Sequence, residues 1–96
     1  MLTFKRPICF LWDKGNTDKN WLKHRVSNTE AEEVFFDSKH LIFKDKLYSD
    51  KENRYLILGR TKQKRALFAV FTLRKEQVRI ISIRDLNKKE YKFLNQ

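Results

Sequence analysis

The chain has one cysteine, one proline and two glycines among its 96 residues. A single thiol, Cys9, excludes an internal disulfide and is too little for a zinc ribbon or an iron–sulfur site, so a reducing compartment is expected. With so little glycine and proline there is no Pro-rich linker, no Gly-rich phosphate loop and no Gly-x-Ser-x-Gly nucleophile turn. Long hydrophobic runs are missing too. Ile8 to Trp12 is shorter than the roughly 7 to 15 residues of a signal-peptide core. Ala66 to Leu73, the longest uncharged apolar run, is far below the roughly 18 residues of a membrane span. A soluble cytoplasmic protein is the expectation. His24 and His40 stand apart and the acidic residues are scattered, so neither a metal site nor a cofactor is expected.

What is present is charge and aromatic surface. Hydrophobic residues make up 41% of the chain and aromatics 14%, too much for a disordered tail. At this length residues 1–96 form one domain of modest stability. The 22 Lys and Arg exceed the 12 Asp and Glu, giving a formal net charge of +10. Such a surface favours nucleic acid, an acidic protein or an anionic membrane, and composition does not choose among them.

Local patterns predict an α+β fold in the order β-α-α-β-β-β-β-α, an antiparallel sheet with helices packed on one side. A short first strand lies near Ile8 to Trp12. Asp13 then caps a lightly anchored surface helix running to about Lys23. Ser27-Asn28-Thr29-Glu30 reads as a capping box for a second helix whose apolar face is Ala31, Val34 and Phe35. Strands are predicted at His40 to Lys44, Arg54 to Arg60, Ala66 to Arg74 and Gln77 to Arg84, the last three joined by short polar turns. Asn87, with Glu90 three residues later, starts a third helix.

The candidate site residues are mostly cations. In Lys23-His24 the imidazole can exchange protons near neutral pH and the lysine can hold a phosphate, although both also suit a helix C-terminus. Arg79 and Arg84 sit near the two ends of the last strand and offer rigid forks to phosphate oxygens. Strict alternation puts them on opposite faces, so without a bulge they cannot share one compact site. Arg60, Lys62, Lys64 and Arg65 crowd one turn, either as nucleic-acid backbone contacts or as a solvated hairpin. Tyr48 and Glu52 precede a strand; Glu52 is a proton acceptor or, more safely, an ion-pair partner for arginine. His40 and Cys9 read as a strand-edge side chain and a small buried apolar one.

Taken together these residues resemble the BrnT family of bacterial type II toxins, from about Phe10 to Tyr91. The marks are Trp12-Asp13, Asn20, Lys23-His24 with Val26, Glu30-Ala31, Val34-Phe35 with Asp37, Ser49, Glu52, Arg54, Gly59, Thr72, Arg74, Arg79-Ile80-Ile81-Ser82 with Arg84, and Glu90-Tyr91. The chain departs from the family pattern at Arg25, where glycine is usual, and at Asn16, Asn28 and Tyr48, where lysine, an aromatic and histidine are common. The resemblance implies a RelE-like ribonuclease fold, RNA cleavage that arrests growth, and no membrane partner. It also implies neutralisation by a BrnA-type antitoxin with a ribbon-helix-helix DNA-binding domain, through which alone operator DNA is bound and the operon repressed.

Metal-free RNA cleavage needs a base for the ribose 2′-hydroxyl, cations for the attacked phosphate and a proton for the leaving 5′-oxygen. On the sequence, His24 is the leading base or acid with Glu52 or Tyr48 as rival. Lys23 and Arg60 serve phosphate, and Arg79 or Arg84 the transition state. Lys62, Lys64, Arg65 and Tyr48 complete the expected substrate contacts. A non-catalytic nucleic-acid-binding module and a subunit that only docks a partner such as the antitoxin are the rival expectations.

Overall fold

The computed structural model describes residues 2–46 and 52–94. Four strands, β1 (Leu41–Asp45), β2 (Arg54–Arg60), β3 (Ala66–Arg74) and β4 (Gln77–Asp85), form one antiparallel sheet in the order β1-β2-β3-β4. Three short helices accompany it: α1 (Lys19–His24), α2 (Asn28–Val34) and α3 (Tyr91–Leu94). The expected α+β order is present. Its first β element is a single parallel bridge between Phe10 and Val78, at the outer edge of β4. Here the amide N–H of Leu11 donates to Val78 O, and that of Val78 to Cys9 O. Phe10 turns inward to pack on the core, so the alternation leaves Cys9 outside. The expectation of a buried Cys9 is therefore corrected.

The capping box at α2 forms as read: the Glu30 amide donates to Ser27 Oγ and the Ser27 amide to Glu30 Oε1. It places Ala31, Val34 and Phe35 on one face of the sheet, against Ile57, Leu67, Ala69, Phe71, Ile80 and Ile83. Burying such a set is the main stabilising contribution, at about 25 cal/mol per Å² of apolar surface. This is the helix-covered side. The four-residue α3 lies on the other side, where Leu94 meets Leu58, Ala66, Phe68 and Leu86.

The first helix is shorter than read. Asp13 opens a turn, its carbonyl accepting from the amides of Asn16 and Thr17, and α1 starts only at Lys19. The carboxylate that was expected to cap it points instead to Arg79. Buried Asn16 and Asn20 then fasten this stretch edge-on to β4: Asn16 Nδ2 donates to Leu11 O and Ile80 O, and the Ile83 amide donates to Asn20 Oδ1. α1 ends at Arg25, which adopts the left-handed conformation at φ 54° and ψ 39°. That backbone favours glycine, which explains physically why glycine suits this position in the pattern the chain resembles.

One irregularity positions the site. Between Val70 and Phe71 the register on β4 slips, so that Val70 pairs Ser82 but Phe71 pairs Ile80, leaving Ile81 as an extra residue. A bulge of this kind reverses the alternation beyond it. Ile80 and Ile83, an odd number apart, both enter the core.

Candidate active site on the open sheet face

The same bulge brings Arg79 and Arg84 to one face and corrects the expectation that they oppose each other. Across the sheet Arg54 pairs Thr72 and Thr72 pairs Arg79; two and four positions further along β3, Leu56, Val70 and Ser82 align, then Leu58, Phe68 and Arg84. Four residue steps on β3 separate the two arginines, or about 13 Å at the usual strand rise. Among the described residues this face carries neither α1 nor α2; α3 lies against it, with Leu94 by Leu58 and Phe68 and the Phe93 ring 6.4 Å from that of Phe43.

At the near end two bidentate ion pairs lie side by side. Arg79 Nη2 and Nε donate to Asp13 Oδ1 and Oδ2 at 3.0 and 3.3 Å. Arg74 Nη2 and Nε donate to Glu52 Oε1 and Oε2 at 3.2 and 3.3 Å. Thr72, buried beneath them, donates its hydroxyl to Asn53 O and thereby ties the approach to β2 to the sheet. The Arg79 hydrogen bond, followed by the Gly15 amide, holds the Asp13 carboxyl below its ordinary range, and the charge of Arg74 adds to this. Glu52 is lowered first by its hydrogen bond to Arg74, with further help from Thr72 and the charge of Arg54. Each carboxylate thus senses two guanidinium groups. Arg79 is the most enclosed of the charged pairs' members, its side chain 14% exposed.

Gly15 permits this closeness. A Cβ there would stand 2.7 Å from Arg79 Nη2 and 3.2 Å from Asp13 Oδ1, inside van der Waals contact.

Arg84 occupies the other end. It donates from Nη1 and Nη2 to the two oxygens of Glu90 at 2.8 and 2.9 Å, and its guanidinium lies 4.4 Å from the centroid of Phe68. Glu90 also accepts the Asn87 amide, so the turn that starts α3 orients Arg84. The Glu90 hydrogen bond raises the Arg84 pKa further, and Arg84 is the leading cause of Glu90's lowering.

The remaining expected site residues lie elsewhere. Lys23 and His24 are exposed in the last turn of α1, and the charge of His24 is felt by Asp85, which pairs Leu67 on the helix-covered side. Arg65 is a structural clamp. Its Nε and Nη2 hold Asp85 at 2.7 and 3.0 Å, its Nη1 holds Glu30 and Arg25 O, and Nη2 reaches His24 O. Those bonds use the guanidinium to close α1 onto α2 and β4. Arg60 stands 5.9 Å from the Tyr91 ring and, with Lys62 and Lys64, lines a separate groove by α2. Tyr48 lies outside the described residues. His40 is the strand-edge side chain expected, its Nδ1 2.8 Å from Asp37 O. Among the described residues no three His, Cys, Asp or Glu side chains gather into a metal-ligand group.

Sequence reasoning alone had not put Asp13, Arg54 or Arg74 in the site. Asp13 looked like a helix cap because its partner is 66 residues away. The signal that could have found all three was in the resemblance, whose marks Asp13, Glu52, Arg54, Thr72, Arg74 and Arg79 fall in this one cluster.

A search of curated proteins finds no match. Residues 12–90 match the family model described as ribonuclease toxin, BrnT, of type II toxin-antitoxin system. With most of the chain inside that match, the chain belongs to the BrnT family of ribonuclease toxins.

Proposed function

We propose that the chain is an endoribonuclease toxin that cleaves RNA without a metal ion, on the open sheet face, by attack of the ribose 2′-hydroxyl on the neighbouring phosphate. The observation that carries this reading is the β4 bulge, which aligns Arg79 and Arg84 on the face that also holds Arg54, Arg74 and the two carboxylates. Arg79 and Arg74 would exchange part of their carboxylate pairing for oxygens of the scissile phosphate, whose growing charge in the transition state they match with rigid bidentate donors. Arg84, about 13 Å away, holds a flanking phosphate. Glu52, kept ionised by Arg74, is the proton acceptor for the 2′-hydroxyl. For the leaving 5′-oxygen the donor is Tyr48, because His24 lies by Asp85 at the far end of β4.

The partners proposed are RNA as substrate and a BrnA-type antitoxin with a ribbon-helix-helix domain, which carries the pair to operator DNA. The proposed fold relationship is to RelE-type ribonucleases. Lys23, Arg60, Lys62, Lys64 and Arg65 stand outside the proposed catalytic cluster. No helix is long and apolar enough to cross a membrane among the described residues.

The test is product chemistry. Purified protein in EDTA should cut a short RNA to a 2′,3′-cyclic phosphate end, and Glu52→Gln should slow this at least tenfold. Tyr48→Phe should slow cleavage at least tenfold by removing the leaving-group proton, while His24→Ala should leave it near the wild-type rate. Cleavage that needs added magnesium, or tight salt-sensitive RNA binding with no product, would favour other readings.

A further inference from the structure

At the opposite end of the sheet from Arg79, α2 and α3 flank a groove of about 1140 Å³. Six residue steps along β2 separate Arg54 from Arg60, so the groove begins about 20 Å from the proposed catalytic cluster. Its apolar lining is Phe36, Leu41, Phe93 and Leu94. Phe36 is 57% exposed and Phe93 40%, large for aromatic side chains that line one concavity.

The charges around this lining are not balanced outward. Lys39, Lys62 and Lys64 line the groove and form no ion pair among the described residues. The acidic residues beside them are turned to the protein's own N–H groups. Asp37 accepts the amides of Lys39 and Arg60, Glu33 the amide of Lys62, and Glu32 the indole N–H of Trp12. The three carboxylates keep their charge but are held by these bonds, so an occupant meets apolar surface with four cations, Lys39, Arg60, Lys62 and Lys64, against three fixed anions.

We infer that this groove is the docking site of an acidic, amphipathic protein segment, and, resting on the toxin reading above, that the antitoxin supplies it. Such a segment would lay apolar side chains on Phe36 and Phe93 and carboxylates against the three lysines, as in helix-in-groove recognition. The groove exceeds the usual volume of a small-molecule pocket. Its aliphatic Leu41 and Leu94 favour a peptide over stacked bases, which need aromatic platforms on both sides. Because the groove and the catalytic cluster lie at opposite ends of the sheet, anchoring and inhibition are separable.

The test pairs Phe36→Glu and Phe93→Glu in one chain, with Lys39→Glu as a second, milder variant. These are exposed positions whose ring contacts, to Phe10 and Phe43, are at 6.3 and 6.4 Å. Affinity for the purified cognate antitoxin should fall at least tenfold in the paired variant, while RNA cleavage without antitoxin stays within about twofold of wild type. Hydrogen exchange on the wild-type complex supplies the independent measurement, with protection expected at residues 36–41, 60–64 and 91–94. Unchanged antitoxin affinity, or protection confined to α1 and the open face, overturns the inference. So does protection of the groove by a single-stranded RNA or by a second copy of the chain but not by the antitoxin. If wild-type protein fails to cleave RNA yet the antitoxin still protects the groove, the catalytic reading falls and the docking site stands.

Discussion

Replacing Arg65 with alanine removes six guanidinium hydrogen bonds at once, and its effect separates a structural arginine from a substrate-binding one. The guanidinium holds Asp85 through two bonds at 2.7 and 3.0 Å, Glu30 through two at 3.1 and 3.3 Å, Arg25 O at 2.8 Å and His24 O at 3.2 Å. Its side chain is 27% exposed, so these are partly desolvated contacts. A charge-assisted hydrogen bond contributes on the order of 1.5 to 3 kcal/mol, but the set shares one cation, and Asp85 remains wet. A loss of about 2 to 3 kcal/mol is therefore expected for the whole clamp. In a domain of this size that lowers Tm by roughly 10 to 20 °C. Arg65→Lys should recover little, because an ammonium cannot reach both carboxylates and two carbonyls in a fixed plane. The assay is urea or thermal unfolding, alongside RNA cleavage per folded molecule. A stability loss below about 0.5 kcal/mol, with cleavage falling a hundredfold, would refute the clamp and return Arg65 to the substrate.

Three further outcomes follow from local geometry. Gly15→Ala should displace the Arg79 guanidinium, the flexible end of a side chain, so cleavage falls about tenfold while unfolding free energy changes by less than about 0.5 kcal/mol; unaltered cleavage would show that the Asp13 pairing does not position Arg79. Arg25→Gly should stabilise by about 0.5 kcal/mol, since relief of the left-handed backbone, about 1 kcal/mol, exceeds the loss of its stacking over Trp21, and a denaturant midpoint lower than wild type would contradict this. Acid should unfold the protein from below about pH 5, as expected where Asp13, Glu30, Glu52, Asp85 and Glu90 all have folded pKa values below their unfolded ones. These carboxylates stabilise the fold above their unfolded pKa values and lose that contribution as pH falls through the folded ones. Stability flat from pH 6 to pH 3 would rule it out.

Sequence legibility followed the range of the interactions. The bounds of β2 and β3 and the α2 capping box were readable because alternation, short polar turns and a Ser-to-Glu spacing are local signals. The start of α1 was not, because Asp13 serves Arg79 rather than the helix beside it. The bulge was half visible: Ile80, Ile81 and Ile83 show apolar residues on both parities, yet which one is extra depends on the partner strand. The grouping of side chains on the open face was hidden for the same reason. His24 and the turn cations attract notice by type and clustering, whereas Arg74 and Asp13 acquire meaning only when β3, β4 and the segment before α1 meet.

The most direct measurement is the single-turnover cleavage rate of a short RNA in EDTA by wild-type protein and by Arg79→Ala, with unfolding curves to count folded molecules. A cation that stabilises the phosphate in the transition state should be missed by about a hundredfold or more in rate, with most of the protein still folded. Cleavage by Arg79→Ala at the wild-type rate would mean that the open sheet face is not where the phosphodiester is cut.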